Sequence, residues 1–136
     1  SMEFPKESRQ PLYGLLYIGK LNKTVECAGH KVVLHTLTSK EYYEIGLLTT
    51  AYVGTKSEGM SYKVATLAMA IENVDGEPLA SPLGSDDKYS AKAKFDTIGD
   101  WYVGTVDTLF NAYIELEAEA KKIADELGET SDKSRK

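Results

Sequence analysis

The sequence predicts an α+β fold: a mostly helical single domain in which an N-terminal antiparallel β-hairpin or three-stranded meander packs against three to four helices. Short runs of β-branched and aromatic residues, separated by turn residues, occupy the first third of the chain. A helix-start signal follows them directly. The last third carries apolar residues at spacings of three and four, which is typical of amphipathic helices. With 136 residues, the chain has the size of one ordinary domain.

The predicted domain covers residues 12–127. Residues 1–11 are mostly polar and contain two prolines, so we expect a flexible arm there. Ser1 before Met2 is typical of a remnant left by tag cleavage. Residues 128–136 have no large apolar side chain to bury and are predicted to form a disordered tail.

Three strands are predicted in the first part of this domain, at Tyr13–Lys20, Thr24–Cys27 and Lys31–Thr36. Their composition favours extended backbone, and Gly29 supplies the turn between the second and the third strand. A sheet of this size is only marginally stable alone. We therefore expect helices from later in the chain to cover its apolar face.

The segment LTSKE at 37–41 contains a capping box. In this motif the hydroxyl of Thr38 accepts a hydrogen bond from the backbone three residues on, and the carboxylate of Glu41 accepts one from the backbone of Thr38. The box predicts a helix that begins near Ser39. Gly54 is a suitable residue for its end.

A second helix is predicted within YKVATLAMAIENV at 62–74. Its apolar residues recur at helical spacing: Val64, Leu67, Ala68, Ile71 and Val74. Asp75 and Gly76 are expected to end the helix, because glycine readily adopts the left-handed conformation found at helix ends. The stretch LASPLGSDD at 79–87 is predicted to be an irregular connection.

From Ala91 onward, helical spacing predicts one long helix or two nearly continuous ones. The apolar positions are Phe95, Ile98, Tyr102, Val106, Leu109, Tyr113, Leu116, Ala120, Ile123 and Leu127. Gly99 and Gly104 interrupt the pattern, and Gly128 is expected to end it.

Composition and sequence motifs argue against several classes of function. A net charge of −5 gives no general attraction for nucleic acid or anionic lipid, so neither is expected as a partner. The single cysteine, Cys27, is typical of an intracellular protein. No apolar stretch approaches the roughly 18–20 residues of a membrane-spanning helix. The two histidines do not match zinc-site spacing and no phosphate-binding loop is present, so no metal and no cofactor is predicted.

His35 is the strongest candidate for a catalytic group. A histidine close to a carboxylate titrates near neutral pH, and Glu41 and Glu44 follow it closely in the chain. Glu41, however, already has a structural role in the capping box. We therefore predict a non-enzymatic protein, with a small enzyme that uses His35 and Glu41 as an alternative.

The aromatic residues favour a protein-binding function. The chain has nine tyrosines against three phenylalanines and one tryptophan, and tyrosine is enriched where proteins meet. The candidate binding residues are Tyr43 and Trp101, with Leu79, Pro82 and Leu83 in the predicted loop. For Trp101, internal packing is an equal alternative.

Three segments resemble the tail assembly chaperones of tailed bacteriophages: LTSKE at 37–41, LAMAIENVDGEPL at 67–79 and LFNAYIEL at 109–116. The order of features is also similar, with a hairpin, a strand that leads into a capped helix, a helix that runs into a V-D-G-x-P-L segment, and a long helix. The resemblance spans residues 12–127.

This resemblance implies a small non-enzymatic protein of the bacterial host cytoplasm that acts during tail morphogenesis. Its implied partners are the tape-measure protein and the tail-tube protein, and a homo-oligomer is compatible with it. A small structural tail or baseplate protein that stays in the virion is the alternative.

Overall fold

The computed structural model describes residues 19–79 and 87–134, with side chains described as far as residue 127. The fold is α+β, with a four-stranded antiparallel sheet and four α-helices, as the sequence predicts. In chain order the elements are β1 (Asn22–Cys27), β2 (His30–His35), α1 (Ser39–Thr49), α2 (Glu58–Ala70), β3 (Ile71–Val74), β4 (Glu77–Pro78), α3 (Ala91–Gly99) and α4 (Val103–Ser134).

The first hairpin confirms the predicted pair of strands within two residues at each end. β1 and β2 pair in register from Asn22 opposite His35 to Cys27 opposite His30. Ala28 and Gly29, with φ of 52° and 84°, form the two-residue turn. Positive φ at both central residues matches the right-handed twist of the strands, which is why Gly29 suits the turn.

The expected strand at Tyr13–Lys20 is described only at its last two residues, and these are not in a strand. Residues 13–18 lie outside the described part of the chain. The third and fourth strands of the sheet come instead from the middle of the sequence, in the order β1-β2-β3-β4.

The prediction of helix through Val74 is wrong, because α2 ends at Ala70 and the chain passes directly into β3. Val74 pairs with Val32, and Ile71 pairs with Leu34. This pairing satisfies the backbone groups along the second edge of β2 and still buries Ile71 in the core. Asp75 and Gly76, both with positive φ, form the turn into β4 and do not cap a helix.

The capping box before α1 is confirmed in full. The backbone N–H of Glu41 donates to Thr38 Oγ1 at 3.2 Å, and the backbone N–H of Thr38 donates to Glu41 Oε1 at 2.9 Å. The helix ends at Thr49, followed by a 3₁₀ turn at Thr50–Tyr52, so it is shorter than predicted.

The core lies between the sheet and the helices, with α2 at its centre. Seven of the thirteen residues of α2 are buried, and this helix contacts α1, α3 and α4. α4 also packs across β1 and β2, which covers the sheet as expected. The largest fully buried apolar side chains are Leu34, Leu67, Ile98, Val106 and Leu109.

The C-terminal periodic segment forms two helices, with a break at residues 100–102. The backbone N–H groups of Asp100 and Trp101 turn back to the carbonyls of Thr97 and Ile98, which ends α3. Tyr102 falls in this break and is 89% exposed, so its assignment to the apolar stripe is wrong. The predicted stop at Gly128 is also wrong: in the segment 128–136, predicted to be disordered, the backbone remains helical through Ser134.

Candidate protein-binding surface

Four tyrosines from three helices line one open groove of about 460 Å³. We call it the tyrosine groove and define it by Tyr42, Tyr43, Tyr62, Tyr113, Ile114 and Glu117. Leu37, Thr38 and Ser39 complete its lining. One carboxylate, that of Glu117, lies among the rings.

The fold brings these residues together from distant parts of the sequence. The capping box fixes the first turn of α1, and Tyr42 and Tyr43 follow it as neighbours that point about 100° apart. Tyr62 comes from α2. Tyr113 and Glu117 lie four residues apart on α4 and therefore on one face of that helix. The packing of α2 against α1 and α4 brings these side chains from the three helices together.

The rings differ in exposure, from the floor of the groove to its rim. Tyr113 is only 6% exposed, whereas Tyr62 is 37%, Tyr42 is 56% and Tyr43 is 70% exposed. Ile114, at 48%, adds an aliphatic edge. A concave, accessible surface with large aromatic rings is the kind of surface on which partner residues bury well.

Hydrogen bonds hold the hydroxyl groups of three of these tyrosines, Tyr42, Tyr62 and Tyr113. The hydroxyl of Tyr113 donates to Glu117 Oε1 at 2.6 Å. Burial raises the pKa of this hydroxyl, and the bond to Glu117 raises it further. A side-chain hydrogen bond with Tyr42, together with burial, raises the pKa of Tyr62. The hydroxyl groups of Tyr62 and Tyr113 therefore remain protonated at neutral pH.

The aromatic row continues beneath the groove along α4. Phe110 lies 6.2 Å from Tyr62 in an edge-to-face arrangement and 6.4 Å from Tyr113, between ring centroids. Lys63 Nζ lies 5.7 Å from the centroid of Phe110 and 2.8 Å from Asp107 Oδ1. At this end, the protein places its own cation beside an aromatic ring and a carboxylate.

A second and larger groove of about 860 Å³ adjoins the first, and Glu117 lines both. We call it the polar groove; its charged and titratable lining residues include His35, Glu41, Glu72 and Lys121. Glu44, expected near His35, does not line it.

In the polar groove, the hydrogen-bond partner of His35 is a backbone carbonyl and not a carboxylate. His35 Nδ1 lies 2.8 Å from the carbonyl oxygen of Thr36, whereas its Nε2 is 3.9 Å from Glu41 Oε2, which is too long for a hydrogen bond. Glu41 Oε1 already accepts the capping bond from Thr38. A general base is normally oriented by a hydrogen-bonded partner, and in this arrangement Glu41 does not supply that bond.

The five candidate binding residues of the sequence are separated by the fold. Tyr43 lies exposed in the tyrosine groove. Trp101 packs partly against the core and lines neither groove, which favours internal packing. Leu79, expected on an accessible loop, is buried at 6% exposure, because it follows β4 directly and turns into the core. Pro82 and Leu83 lie outside the described residues.

Sequence reasoning missed the importance of Tyr62, Tyr113 and Glu117. Helical spacing places Tyr113 in the core stripe of α4, which is correct for its ring but does not reveal that its hydroxyl donates to a carboxylate. Tyr62 is the first residue of the second helical pattern, and no motif around it indicates a binding role. The excess of tyrosine over phenylalanine was the available clue, and only the packing of three helices shows which tyrosines meet.

None of the helices within residues 19–79 and 87–134 is both long enough and apolar enough to cross a membrane. Over the same described residues, no three His, Cys, Asp or Glu side chains are grouped so that they could hold a metal ion. In comparisons with known proteins, no family model matches the chain, and neither a curated protein nor a solved structure gives a significant match.

Proposed function

We propose that this protein is a non-enzymatic binding protein whose tyrosine groove docks a segment of a partner protein. The observation that carries the proposal is the convergence of four tyrosines from α1, α2 and α4 on one accessible groove. Aromatic rings offer a large contact area at a small cost in conformational entropy, and they are the residues most enriched among binding hot spots.

The partner proteins we propose are the tape-measure and tail-tube proteins of a tailed phage, with the protein acting as an assembly chaperone in the host cytoplasm. The support is the resemblance of three sequence segments, and two of these segments border the groove. LTSKE at 37–41 leads into α1 beside it, and LFNAYIEL at 109–116 contributes Tyr113 and Ile114 to it. The third segment, at 67–79, runs from the core of α2 through β3 and β4.

A co-expression pull-down with the tape-measure and tail-tube proteins of the same phage tests this proposal. We expect one of them to be retained by the wild-type protein and lost with Tyr43→Ala, which removes the most exposed ring of the groove. Tyr102→Ala is the matched control, because this side chain is also exposed but lies in the break between α3 and α4. Retention of neither phage protein would reject the chaperone proposal.

A structural tail or baseplate protein would use the same groove but remain in the particle. Mass spectrometry of purified virions separates the two roles, since a chaperone is absent from them or present only in trace and a structural protein is present in stoichiometric amount.

An enzymatic role is the weaker alternative. His35 and Glu41 do line the same polar groove, as an enzyme would require. Their side chains are nevertheless too far apart to hydrogen-bond, and Glu41 is held by the cap of α1. The geometry therefore supports binding better than catalysis.

A further inference from the structure

We propose that the tyrosine groove accepts a cationic side chain, a lysine or arginine presented by an extended segment of the partner protein, with Glu117 as its counter-ion. This inference rests on the proposed protein-binding function of the same groove and adds the chemistry that selects the partner.

Glu117 is a carboxylate with spare binding capacity. Its Oε1 accepts the bond from Tyr113 and a long one, of 3.5 Å, from the backbone N–H of Leu37. Its Oε2 receives no hydrogen bond from the described residues, and no lysine among them forms an ion pair with Glu117. Every buried side-chain oxygen of the described part has a partner, so Oε2 remains accessible to solvent.

The tyrosine rings of the groove also favour the binding of a cation. The face of a tyrosine ring carries negative potential, and a cation within about 6 Å of its centroid is attracted. Four such rings line the groove that contains the Glu117 carboxylate. A guanidinium or ammonium group there would contact rings and carboxylate together, and its aliphatic stem would cover Ile114 or Tyr43.

The protein already uses this combination at the other end of the same aromatic row. Lys63 lies over Phe110 and pairs with Asp107, so ring, carboxylate and cation all come from one chain. Near Tyr113 and Glu117 the rings and the carboxylate recur on the same face of α4, but the described part of the chain adds no cation to them. We infer that the partner supplies it.

Neighbouring charges are compatible with a cationic ligand. α1 begins beside the groove and its first turn carries partial positive charge, but the carboxylate of Glu41 in the cap compensates for it. Lys121 lies one helical turn beyond Glu117, on the polar groove, and forms no ion pair with it. The net charge of −5 adds a general attraction for a basic partner.

A pair of peptide probes tests the inference directly. The probes are acetyl-Gly-Arg-Gly-amide and the same peptide with citrulline, which has nearly the shape of arginine but no charge. Titration is followed by the ring NMR signals of Tyr42, Tyr43 and Tyr62. We expect the arginine peptide to shift these signals and to bind at least about tenfold more tightly than the citrulline peptide.

Glu117→Gln should bring the two affinities close together, because glutamine still accepts the hydrogen bond of Tyr113 but lacks the charge. Glu119→Gln is the control, since it removes an exposed charge from the same helix without lining either groove. Equal affinities for the two peptides in the wild-type protein, or binding of neither, would overturn the inference. The comparison of probes in the wild-type protein is independent of whether any variant folds.

The outcomes also separate this inference from the function on which it rests. If both peptides shift the tyrosine signals equally, the groove binds extended chains without selecting a cation. If Tyr43→Ala leaves the capture of the phage proteins unchanged, the proposed use of the groove fails, whatever the peptides do.

Discussion

Replacing Gly46 and Gly76 by alanine is the same chemical change, yet we expect opposite effects on the free energy of unfolding. Gly46 lies exposed within α1, and Gly76 has φ of +83° in the turn between β3 and β4. At both positions an added Cβ would meet no heavy atom within 4 Å. A methyl group therefore fits at either position without a steric clash, and the two sites differ only in backbone conformation.

The magnitudes follow from that conformation. In a helix interior, alanine is favoured over glycine by about 1 kcal/mol, so Gly46→Ala should stabilise the protein by about that amount. At Gly76 the left-handed backbone costs an L-residue about 1–2 kcal/mol, offset by about 0.4–1 kcal/mol from the lower entropy of the unfolded chain. The net effect is a loss of up to roughly 1.6 kcal/mol, centred near about 0.8 kcal/mol, which places the two variants roughly 3–10 °C apart in Tm.

Urea unfolding followed by circular dichroism and by the fluorescence of Trp101, the single tryptophan, measures both changes. The midpoints should move in opposite directions with unchanged slopes, since neither substitution alters the surface exposed on unfolding. A Gly76→Ala variant more stable than the wild type would show that this turn is not held in the left-handed conformation. A destabilising Gly46→Ala would show that α1 does not persist through its middle.

Three further changes have defined outcomes. Leu67→Ala, in the centre of the core, should cost about 2–5 kcal/mol in urea unfolding, whereas Leu47→Ala, at 71% exposure, should stay within about 0.5 kcal/mol; similar losses would contradict the assigned core. Thr38→Ala should cost about 1 kcal/mol by removing the cap of α1, and no change in Tm would mean that the cap is dispensable. The pKa of Asp75 is lowered below 3.8, chiefly by the hydrogen bond from His30 and next by that from the backbone N–H of Lys31. The contribution of this carboxylate to folding stability is therefore fully present above pH 3.8 and is lost as the pH falls through the lowered pKa of the folded state. Asp75→Asn should flatten the acid side of the stability curve, and an unchanged curve would refute the assignment.

Features that depend on neighbouring residues were predictable from the sequence. The cap at Thr38 was found because both of its hydrogen bonds lie within four residues. The turn at Gly29 was found because positive φ strongly favours glycine. Both are local choices that the rest of the fold does not alter.

The third strand was missed because its apolar spacing fits two structures. Ile71 and Val74 are three residues apart and continue the helical stripe of α2, so periodicity alone assigns them to the helix. Pairing with Val32 and Leu34 of β2, nearly forty residues earlier, makes them a strand. The Asp-Gly pair at 75–76 between short apolar runs was a hairpin signal, which the helix-end interpretation overrode.

The groove could not be assembled from the sequence, because no spacing rule connects Tyr42, Tyr62 and Tyr113. They meet only once α2 has packed between α1 and α4. What the sequence did provide was composition: an excess of tyrosine, whose hydroxyl needs a partner when its ring is buried.

Because the hydroxyl of a buried tyrosine needs a hydrogen-bond partner, Glu117 serves both the fold and the proposed binding. Tyr113 is almost fully buried, and leaving its hydroxyl without a partner would cost about 1–3 kcal/mol, so Glu117 stabilises the fold through Oε1. The same bond fixes the carboxylate beside the rings and leaves Oε2 available to a ligand. A loss of binding in Glu117→Ala would therefore be ambiguous, because alanine removes the partner of Tyr113 as well as the charge. Glutamine separates the two, since it retains an oxygen for Tyr113 while a cationic ligand loses its counter-ion.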